Sequence, residues 1–268
     1  MDAIAQRLSM AQEISQKAAR IAMDYFGQRE SLAIESKGPQ DVVSQADKAV
    51  EQFIWQELEQ AFPGDAIHGE ELGRSGHSSD FTWVIDPIDG TANFVAGIPF
   101  WCVVLACVYR GEVVIGIIVD PNHGDHYWAR KGHGAFLNER PMQVSSATSI
   151  VQGSMGVGYC NRMTPESLLR FLKPLVDHGG MYYRNASGAL MLAYVAAGKL
   201  IAYQEAHMNP WDCLAGLLMV EEAGGKSWPY NTEKMFSRGD AILAGAPQVV
   251  DQVQDWAAFT LDLEPIRV

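Results

Sequence analysis

The run Trp83-Val84-Ile85-Asp86-Pro87-Ile88-Asp89-Gly90-Thr91 constrains this chain more than any other stretch. A β-rich apolar segment ends there in two carboxylates three positions apart. Pro87 fixes its own φ and disfavours the α region for the residue before it, so the chain is expected to leave the strand at Asp86, turn sharply and aim both carboxylates at one point. Gly90 lets the backbone come close to a ligand, and the N–H groups after it, at the start of a short helix, would point at an anion. Acidic oxygen ligands beside an anion cradle are the makings of a site for metal and phosphate. The plainer alternative is an Asp-Pro, Asp-Gly turn with solvated acids.

The bulk of the chain narrows the company such a site can keep. With 268 residues, 48% hydrophobic and 19% charged, it can build one large or two small cores, and disorder is not expected. Twenty Lys and Arg against 32 Asp and Glu give a formal charge of −12, which argues against binding nucleic acid or an anionic membrane. An acidic protein acting on an anionic substrate needs cations in its site. Cys102, Cys107, Cys160 and Cys213 have no C-x-x-C spacing and read as reduced core residues, which places the protein in the cytoplasm. The chain starts with an amphipathic segment carrying Asp2 and Arg7 instead of a leader, and its longest apolar run, Phe100 to Tyr109, is about half of what a bilayer span requires.

In chain order, apolar residues from Ile4 to Phe26 recur at three- and four-residue steps and predict a helix over 3–27, closed by Gly27. A polar link over 35–40 leads to Ser44, which with Asp47 resembles a helix-start box for a helix running to about Ala61. Asp47 in that first turn could equally complement the helix dipole. Ala66 to Glu71 reads as a short strand ending in two adjacent acids, which on a strand face opposite ways, so only one of Glu70 and Glu71 can serve a given site. His68 reads as a packed histidine, and 73–80 as a mobile polar loop. Residues 100–109, 112–119 and 125–130 read as consecutive antiparallel strands, followed by a glycine turn and a short strand over 131–138. From about Ala147 the texture becomes α/β: strand 151–157, helix 165–177 with Pro165 first, strand 181–184, helix 188–197, strand 200–204, helix 212–223, strand 241–244 and helix 247–259. This divides the chain into an N-terminal α+β part (1–146) and a C-terminal α/β part (147–268). Asp212 opens an apolar helix, where an aspartate is ordinarily an N-cap.

The blocks Asp41 to Asp47, Gly69-Glu70-Glu71, Trp83 through Asn93-Phe94, Arg130-Lys131-Gly132-x-Gly134-Ala135, and Asn209-Pro210-Trp211-Asp212 with Glu222-Ala223-Gly224-Gly225 occur in the order found in the inositol monophosphatase family. The resemblance covers nearly the whole chain. It implies an α/β (α+β mixed) fold layered as an α-β-α-β-α sandwich, and a Mg²⁺-dependent phosphoric monoester hydrolase with two or three ions held by Glu70, Asp86, the carbonyl of Ile88, Asp89 and Asp212. Oxygen donors suit Mg²⁺, which takes the rest of its shell from water and substrate phosphate. Asp86 is the expected bridging ligand, with Asp89 and Asp212 on one ion and Glu70 and the Ile88 carbonyl on another.

The family further implies that Thr91, hydrogen-bonded to Asp47, orients and helps deprotonate the attacking water, with Glu70 as a further catalytic acid. Asp89 and the N–H groups of Gly90 and Thr91 would meet the substrate phosphate, Glu205 a substrate hydroxyl, and Ser187 and Gly188 the pocket wall. The sequence departs from the family pattern in two places. It has Ala186-Ser187-Gly188 where Gly-Ser/Thr-Ala is common, and Ile201 where Asp is common. An apolar residue at 201 either removes a polar support beneath the substrate loop or extends the core. A small-molecule phosphate monoester is the expected partner, myo-inositol 1-phosphate the first candidate, and a homodimer the expected assembly. Histidinol phosphate, 3′-phosphoadenosine 5′-phosphate and fructose 1,6-bisphosphate are the rivals on the same fold, and a non-catalytic regulatory relative is the alternative of another class.

Overall fold

In this computed structural model the described residues are 2–31, 34–38, 41–160 and 163–261; Pro39 and Gln40, the end of the polar link, lie outside them. The helices are α1 (Ala3–Gly27), α2 (Gln45–Ala61), α3 (Thr91–Ala96), α4 (Pro165–Asp177), α5 (Gly188–Ala196), α6 (Pro210–Glu222), α7 (Thr232–Arg238) and α8 (Pro247–Leu261). The first ten strands are β1 (Ile34–Gly38), β2 (Asp41–Ser44), β3 (Ala66–Gly69), β4 (Gly73–Arg74), β5 (Phe81–Asp89), β6 (Cys102–Tyr109), β7 (Glu112–Asp120), β8 (Asp125–Arg130), β9 (Ala135–Leu137) and β10 (Arg140–Pro141). The rest are β11 (Ser154–Val157), β12 (Met181–Tyr183), β13 (Ala202–Met208), β14 (Lys226–Ser227) and β15 (Asp240–Gly245).

An eight-stranded sheet runs β10-β9-β8-β7-β6-β5-β3-β4, antiparallel except where β3 lies parallel to β5. A five-stranded sheet runs β12-β11-β13-β15-β14, with β11 parallel to both of its neighbours. Helices α1 and α2 pack on one face of the large sheet, and α5 and α6 fill the space between the two sheets. The outer face of the small sheet is covered by α8, against which α4 packs. The order of layers is therefore α-β-α-β-α. Three apolar clusters fill the gaps: Trp83, Ile85, Ile14 and Ile54 under α1 and α2; Val104, Ile118, Leu190 and Leu214 between the sheets; and Phe171, Ile201 and Val250 on the outside. Each such buried Ile, Leu or Val contributes roughly 1.5–3 kcal/mol. Ile201, 3% exposed, extends the outer core.

Charged side chains fasten these layers as well. Arg7 of α1 donates two hydrogen bonds to Asp65, at 2.8 and 2.7 Å, and its guanidinium stands 3.7 Å above the Phe81 ring, while Trp83 Nε1 donates to the same carboxylate at 2.9 Å. Glu222, in the last turn of α6, accepts the N–H groups of Gly132 and Gly134 at 2.7 and 2.8 Å. That clamp gives a physical reason why the glycine turn after β8 and the acid at the end of α6 recur together as motifs.

Several elements differ from the expectation. The polar link is a hairpin, β1 with β2, whose pairing carries no apolar alternation to announce it. The segment 73–80 is tied down: Ser75 N–H donates to Ile67 O and Ile67 N–H to Ser75 Oγ, and His77 lies 3.0 Å from Asp65 O. Helix α6 starts at Pro210, two residues before the expected start, because proline at the first helical position loses no hydrogen bond. A 3₁₀ turn at Ile150–Gln152 replaces the first residues of the expected strand. The two-residue strands and α7 are too short to set up a readable period.

The Ala186-Ser187-Gly188 departure also has a structural account. Ala186 has φ 63°, in the left-handed region where an L side chain costs roughly 1–2 kcal/mol and glycine costs least. Ser187 caps α5 by accepting from Leu190 N–H, and a Cβ on Gly188 would stand 2.4 Å from Met208 Cε. The glycine of this loop has thus moved from the strained position to the crowded one. Replacing Ala186 with glycine is expected to raise stability by up to about 1 kcal/mol, the relief of strain less the entropy glycine adds to the unfolded chain, with the secondary structure unchanged. Denaturant unfolding followed by circular dichroism checks this, and a loss of stability would show that the alanine is accommodated without strain.

Candidate active site

Strand β5 delivers two acids to one place by a route the sequence did not suggest. The strand does not end at Asp86; Asp86 pairs with Val104 and Asp89 with Cys102, so two residues of β5, Pro87 and Ile88, face the single Val103 of β6. Residues three apart in a regular strand face opposite ways, and this one-residue bulge turns them to the same side. Asp86 Oδ1 accepts from Ile88 N–H at 3.0 Å, which fixes the first carboxylate over the bulge. Asp212 reaches the same place from the start of α6, and ligand oxygens of Asp86, Asp89 and Asp212 all lie within 4.8 Å of one another. Asp212 is not the N-cap expected from sequence: Asn209 takes that position, and Asp212, the third helical residue, completes a capping box by accepting Asn209 N–H at its Oδ2 at 2.9 Å.

Asp86 and Asp89 are 2% and 8% exposed, so these acids are not solvated. Burial, then the charges of Glu70, Asp89 and Asp212, hold the Asp86 carboxyl well above the usual range, and Glu70 is also hydrogen-bonded to it. Glu70 follows β3 in a turn, its N–H donating to Ile85 O at 3.2 Å. Burial raises Asp89 too, against opposing bonds to its Oδ2 from the Ser187 hydroxyl, the Ala189 N–H at 2.8 Å and the Cys102 thiol at 3.7 Å. The Ser187 side chain, expected along the pocket wall, is fully buried and holds Asp89 instead.

The donor set consists of hard oxygens crowded in a largely buried place, a cluster that could hold a metal ion. Cys102, close by, does not turn this into a thiolate site. Its sulfur is not among the ligand atoms that converge there and instead donates to Asp89 Oδ2 at 3.7 Å, while burial and the neighbouring Asp89 push its thiol well up.

The Thr91 hydroxyl lies 3.0 Å from both Asp47 Oδ1 and Ile88 O. Asp47 is fully buried at the start of α2, its other oxygen accepting from Ser44 N–H at 2.9 Å and Ser44 Oγ at 2.6 Å. The residue is both a capping-box member and a partner of Thr91, so the two readings of it hold together. Burial raises its carboxyl, against the bonds from Ser44 and Thr91. Gly90, at φ 95°, makes the turn into α3, and a Cβ there would stand 3.0 Å from Phe100 O and 3.3 Å from Ser187 Cβ. The N–H groups of Thr91, Ala92 and Asn93 precede the first intrahelical bond, from Phe94 N to Gly90 O at 3.0 Å. Asn93 joins this turn to the substrate loop, its amide donating to Phe100 O and to Asn185 O, each at 2.6 Å.

Glu205 lies on β13 and accepts from the Tyr203 hydroxyl. Burial lifts its carboxyl to about 7, opposed by that bond and helped by Asp212. Gly188, at the start of α5, leaves the space occupied by Met208, and a Cβ there would stand 3.6 Å from the Tyr203 hydroxyl. His68 is a packed histidine, its ring 5.4 Å from Trp211 and 5.3 Å from Phe236 and held to a pKa of about 4 by burial. Three residues of this neighbourhood escaped the sequence reading. Cys102 and Tyr203 sit among apolar residues on strands and gave no signal. Glu51 did give one, being a charged residue on the apolar stripe of α2 between Val50 and Ile54.

The chain matches the model of the inositol monophosphatase family over residues 4–257. It is 37% identical over 221 residues to an inositol-1-monophosphatase of Mesorhizobium japonicum, covering 81% of this chain and 83% of that protein. It is 34% identical over 246 residues to a histidinol-phosphatase of Chlorobaculum parvum, covering 88% and 91%. Among solved structures, the extragenic suppressor protein suhB from Bartonella henselae superposes with a TM-score of 0.87 at 31% identity, over 93% of this chain and 97% of that one. No helix among the described residues is long and apolar enough to cross a membrane. The match of motifs, layers and acid cluster runs the length of the described structure, and the chain belongs to the inositol monophosphatase family.

Proposed function

We propose that this protein hydrolyses a small sugar or polyol phosphate monoester, with myo-inositol 1-phosphate the first candidate, in a reaction that depends on Mg²⁺. The observation that carries this reading is the convergence of Asp86, Asp89 and Asp212, with Glu70 against Asp86, beside the Thr91–Asp47 pair and the turn at Gly90. Glu70, Asp86, the Ile88 carbonyl, Asp89 and Asp212 would hold the ions. Bound cations of this kind polarise a phosphoryl group and lower the pKa of a coordinated water.

The protein's own groups supply the rest. The single Thr91 hydrogen faces two acceptors; donated to Asp47, it leaves an oxygen lone pair free to receive a proton from the attacking water. Asp47 is raised by burial and therefore more basic than an ordinary aspartate, which suits it to take the proton that Thr91 passes on. The N–H groups at the start of α3 orient the phosphate. Glu205 selects among substrates by accepting from a hydroxyl or, when ionised, by pairing with an ammonium. The second option keeps histidinol phosphate as a rival substrate.

Purified protein with Mg²⁺ is expected to hydrolyse monoesters from a panel that includes both substrates, and a chelator to abolish turnover. Thr91→Ala and Asp47→Asn are each expected to lower kcat and kcat/KM together by about 10²–10⁴-fold, the range of a general acid–base contact. Because the two act as one relay, the double variant should be little worse than either single one. Losses that multiply, or variants that melt early yet turn over normally in the cold, would return both residues to a capping role.

Glu205 loses its proton as pH rises through about 7. Preference for an ammonium-bearing monoester over myo-inositol 1-phosphate should therefore grow between about pH 6 and about pH 8. The gain should be on the order of tenfold, the worth of one charge-assisted hydrogen bond. Glu205→Gln, which cannot ionise, should flatten that part of the profile. Identical pH profiles of relative kcat/KM in the two proteins would place Glu205 outside substrate selection.

A further inference from the structure

Helix α2 presents two fully buried carboxylates one helical turn apart, Asp47 and Glu51, on the stripe that also carries Val50, Ile54 and Leu58. The first accepts from Thr91. The second reaches the turn after β3, where Glu51 Oε2 accepts Glu71 N–H at 2.9 Å and Oε1 accepts Leu72 N–H at 2.7 Å. Successive backbone N–H groups form a concavity that binds an anion, and here the anion belongs to the protein. The fit is close. A Cβ on Gly69 would fall 1.9 Å from Glu51 Oε1, so a larger residue there would have to displace the carboxylate from the turn.

A buried carboxylate costs several kcal/mol unless it is well bonded, and Glu51 stands one turn along α2 from another buried acid. Packing alone would be served as well by an apolar residue of the same size. What the carboxylate provides is a fixed backbone for the turn that carries Glu70 against Asp86 and Glu71 toward Asp47, whose carboxyl the Glu71 charge raises.

We propose that Glu51 is a positioning residue for the cation cluster. Its carboxylate sets the Glu70 turn in register with Asp86, and α2 acts as a ruler that spaces this turn from the Asp47–Thr91 pair. The proposal rests on the metal-dependent reading of the site. It assigns Glu51 no contact with substrate or reacting atoms.

Glu51→Gln keeps the shape of the side chain but turns an NH₂ group toward one of the two backbone donors. Paramagnetic Mn²⁺, an oxygen-seeking stand-in for Mg²⁺, can be counted by electron paramagnetic resonance with no substrate present. Its binding is expected to weaken by about 10–100-fold, the range found when a supporting partner of a metal ligand is lost. The Glu71 and Leu72 amides should exchange hydrogen faster, while kcat at saturating metal stays within a few-fold of the parent. An Mn²⁺ affinity equal to the parent's, whatever the change in melting temperature, would reduce Glu51 to a structural residue and overturn the proposal.

Should the variant not fold, amide exchange in the parent protein decides the question. Slow exchange at Glu71 and Leu72 already present without metal supports Glu51 as the organiser of the turn. Exchange that slows only when Mn²⁺ is added overturns it. A parent protein that neither binds Mn²⁺ nor hydrolyses any monoester overturns the phosphatase reading and this assignment with it, whereas a parent that does both, matched by Glu51→Gln in metal affinity, overturns the role of Glu51 alone.

Discussion

Repulsion among buried carboxylates is the constraint on which the arrangement of this protein turns. Asp47, Glu51, Asp86 and Asp89 are all nearly or wholly excluded from water, and Asp212 stands among them. Such groups stay in place only if each has donors of its own. Asp86 has Ile88 N–H, Asp89 has Ser187 and Ala189, Asp212 has Asn209 N–H, Asp47 has Ser44 and Thr91, and Glu51 has two successive backbone N–H groups. Much of the local backbone is explained by this need. The bulge in β5, the glycine turn at Gly90, the caps of α2 and α5 and the start of α6 each aim a donor at an acid.

The long elements were legible in the sequence because their burial is periodic. Helix α1 faces one side only, and its apolar residues mark its bounds to the residue; β6 and β7 are continuous apolar runs because the large sheet is covered on both faces. The acids of the site were legible for another reason, since each stands near a residue that either fixes the backbone or frees it: Pro87 and Gly90 around Asp86 and Asp89, Gly69 before Glu70, Pro210 before Asp212. What the sequence left unseen is how those positions are joined. The one-residue slip that puts Asp86 and Asp89 on the same side depends on the partner strand β6, and no local pattern within β5 records it. The burial of Ser187 on Asp89 likewise depends on a contact across 98 residues of chain.

The surroundings of Glu205 are built differently. Glu205 and Tyr203 come from β13 in the small sheet, while the acids for cations come from the large sheet and α6. Asn93 bridges the two parts through Phe100 O and Asn185 O, which ties the turn at Gly90 to the loop that leads to α5. Within that frame Ala186 carries strain, Gly188 leaves room for Met208, and Ile201 packs outward into the third core. Of these departures Gly188 reaches the acid cluster, its backbone N–H bonding Asp89, while Ile201 packs away from it in the third core.

Magnitudes decide between a built cation site and an acidic turn that merely lies near a helix. Two unit charges about 5 Å apart repel by about 3–4 kcal/mol at an effective dielectric constant near 20. The starts of α5 and α6 both point into the cluster, one donating Ala189 N–H to Asp89 and the other Asn209 N–H to Asp212. A helix N-terminus stabilises a negative charge by roughly 0.3–1 kcal/mol when exposed and about 2 kcal/mol in a favourable buried setting. Two such termini fall short of the repulsion among three ionised acids, and solvent cannot supply the difference to carboxylates that are 2% and 8% exposed. Hydrogen bonds from Ile88 N–H to Asp86 and from the Ser187 hydroxyl to Asp89, each worth roughly 1.5–3 kcal/mol to a charged group, offset part of the remainder, and a proton or a bound cation would offset more. Burial and the neighbouring acids raise the Asp86 carboxyl and so favour its protonated form, and the convergent oxygens of Asp86, Asp89 and Asp212 could hold a metal ion in place of that proton.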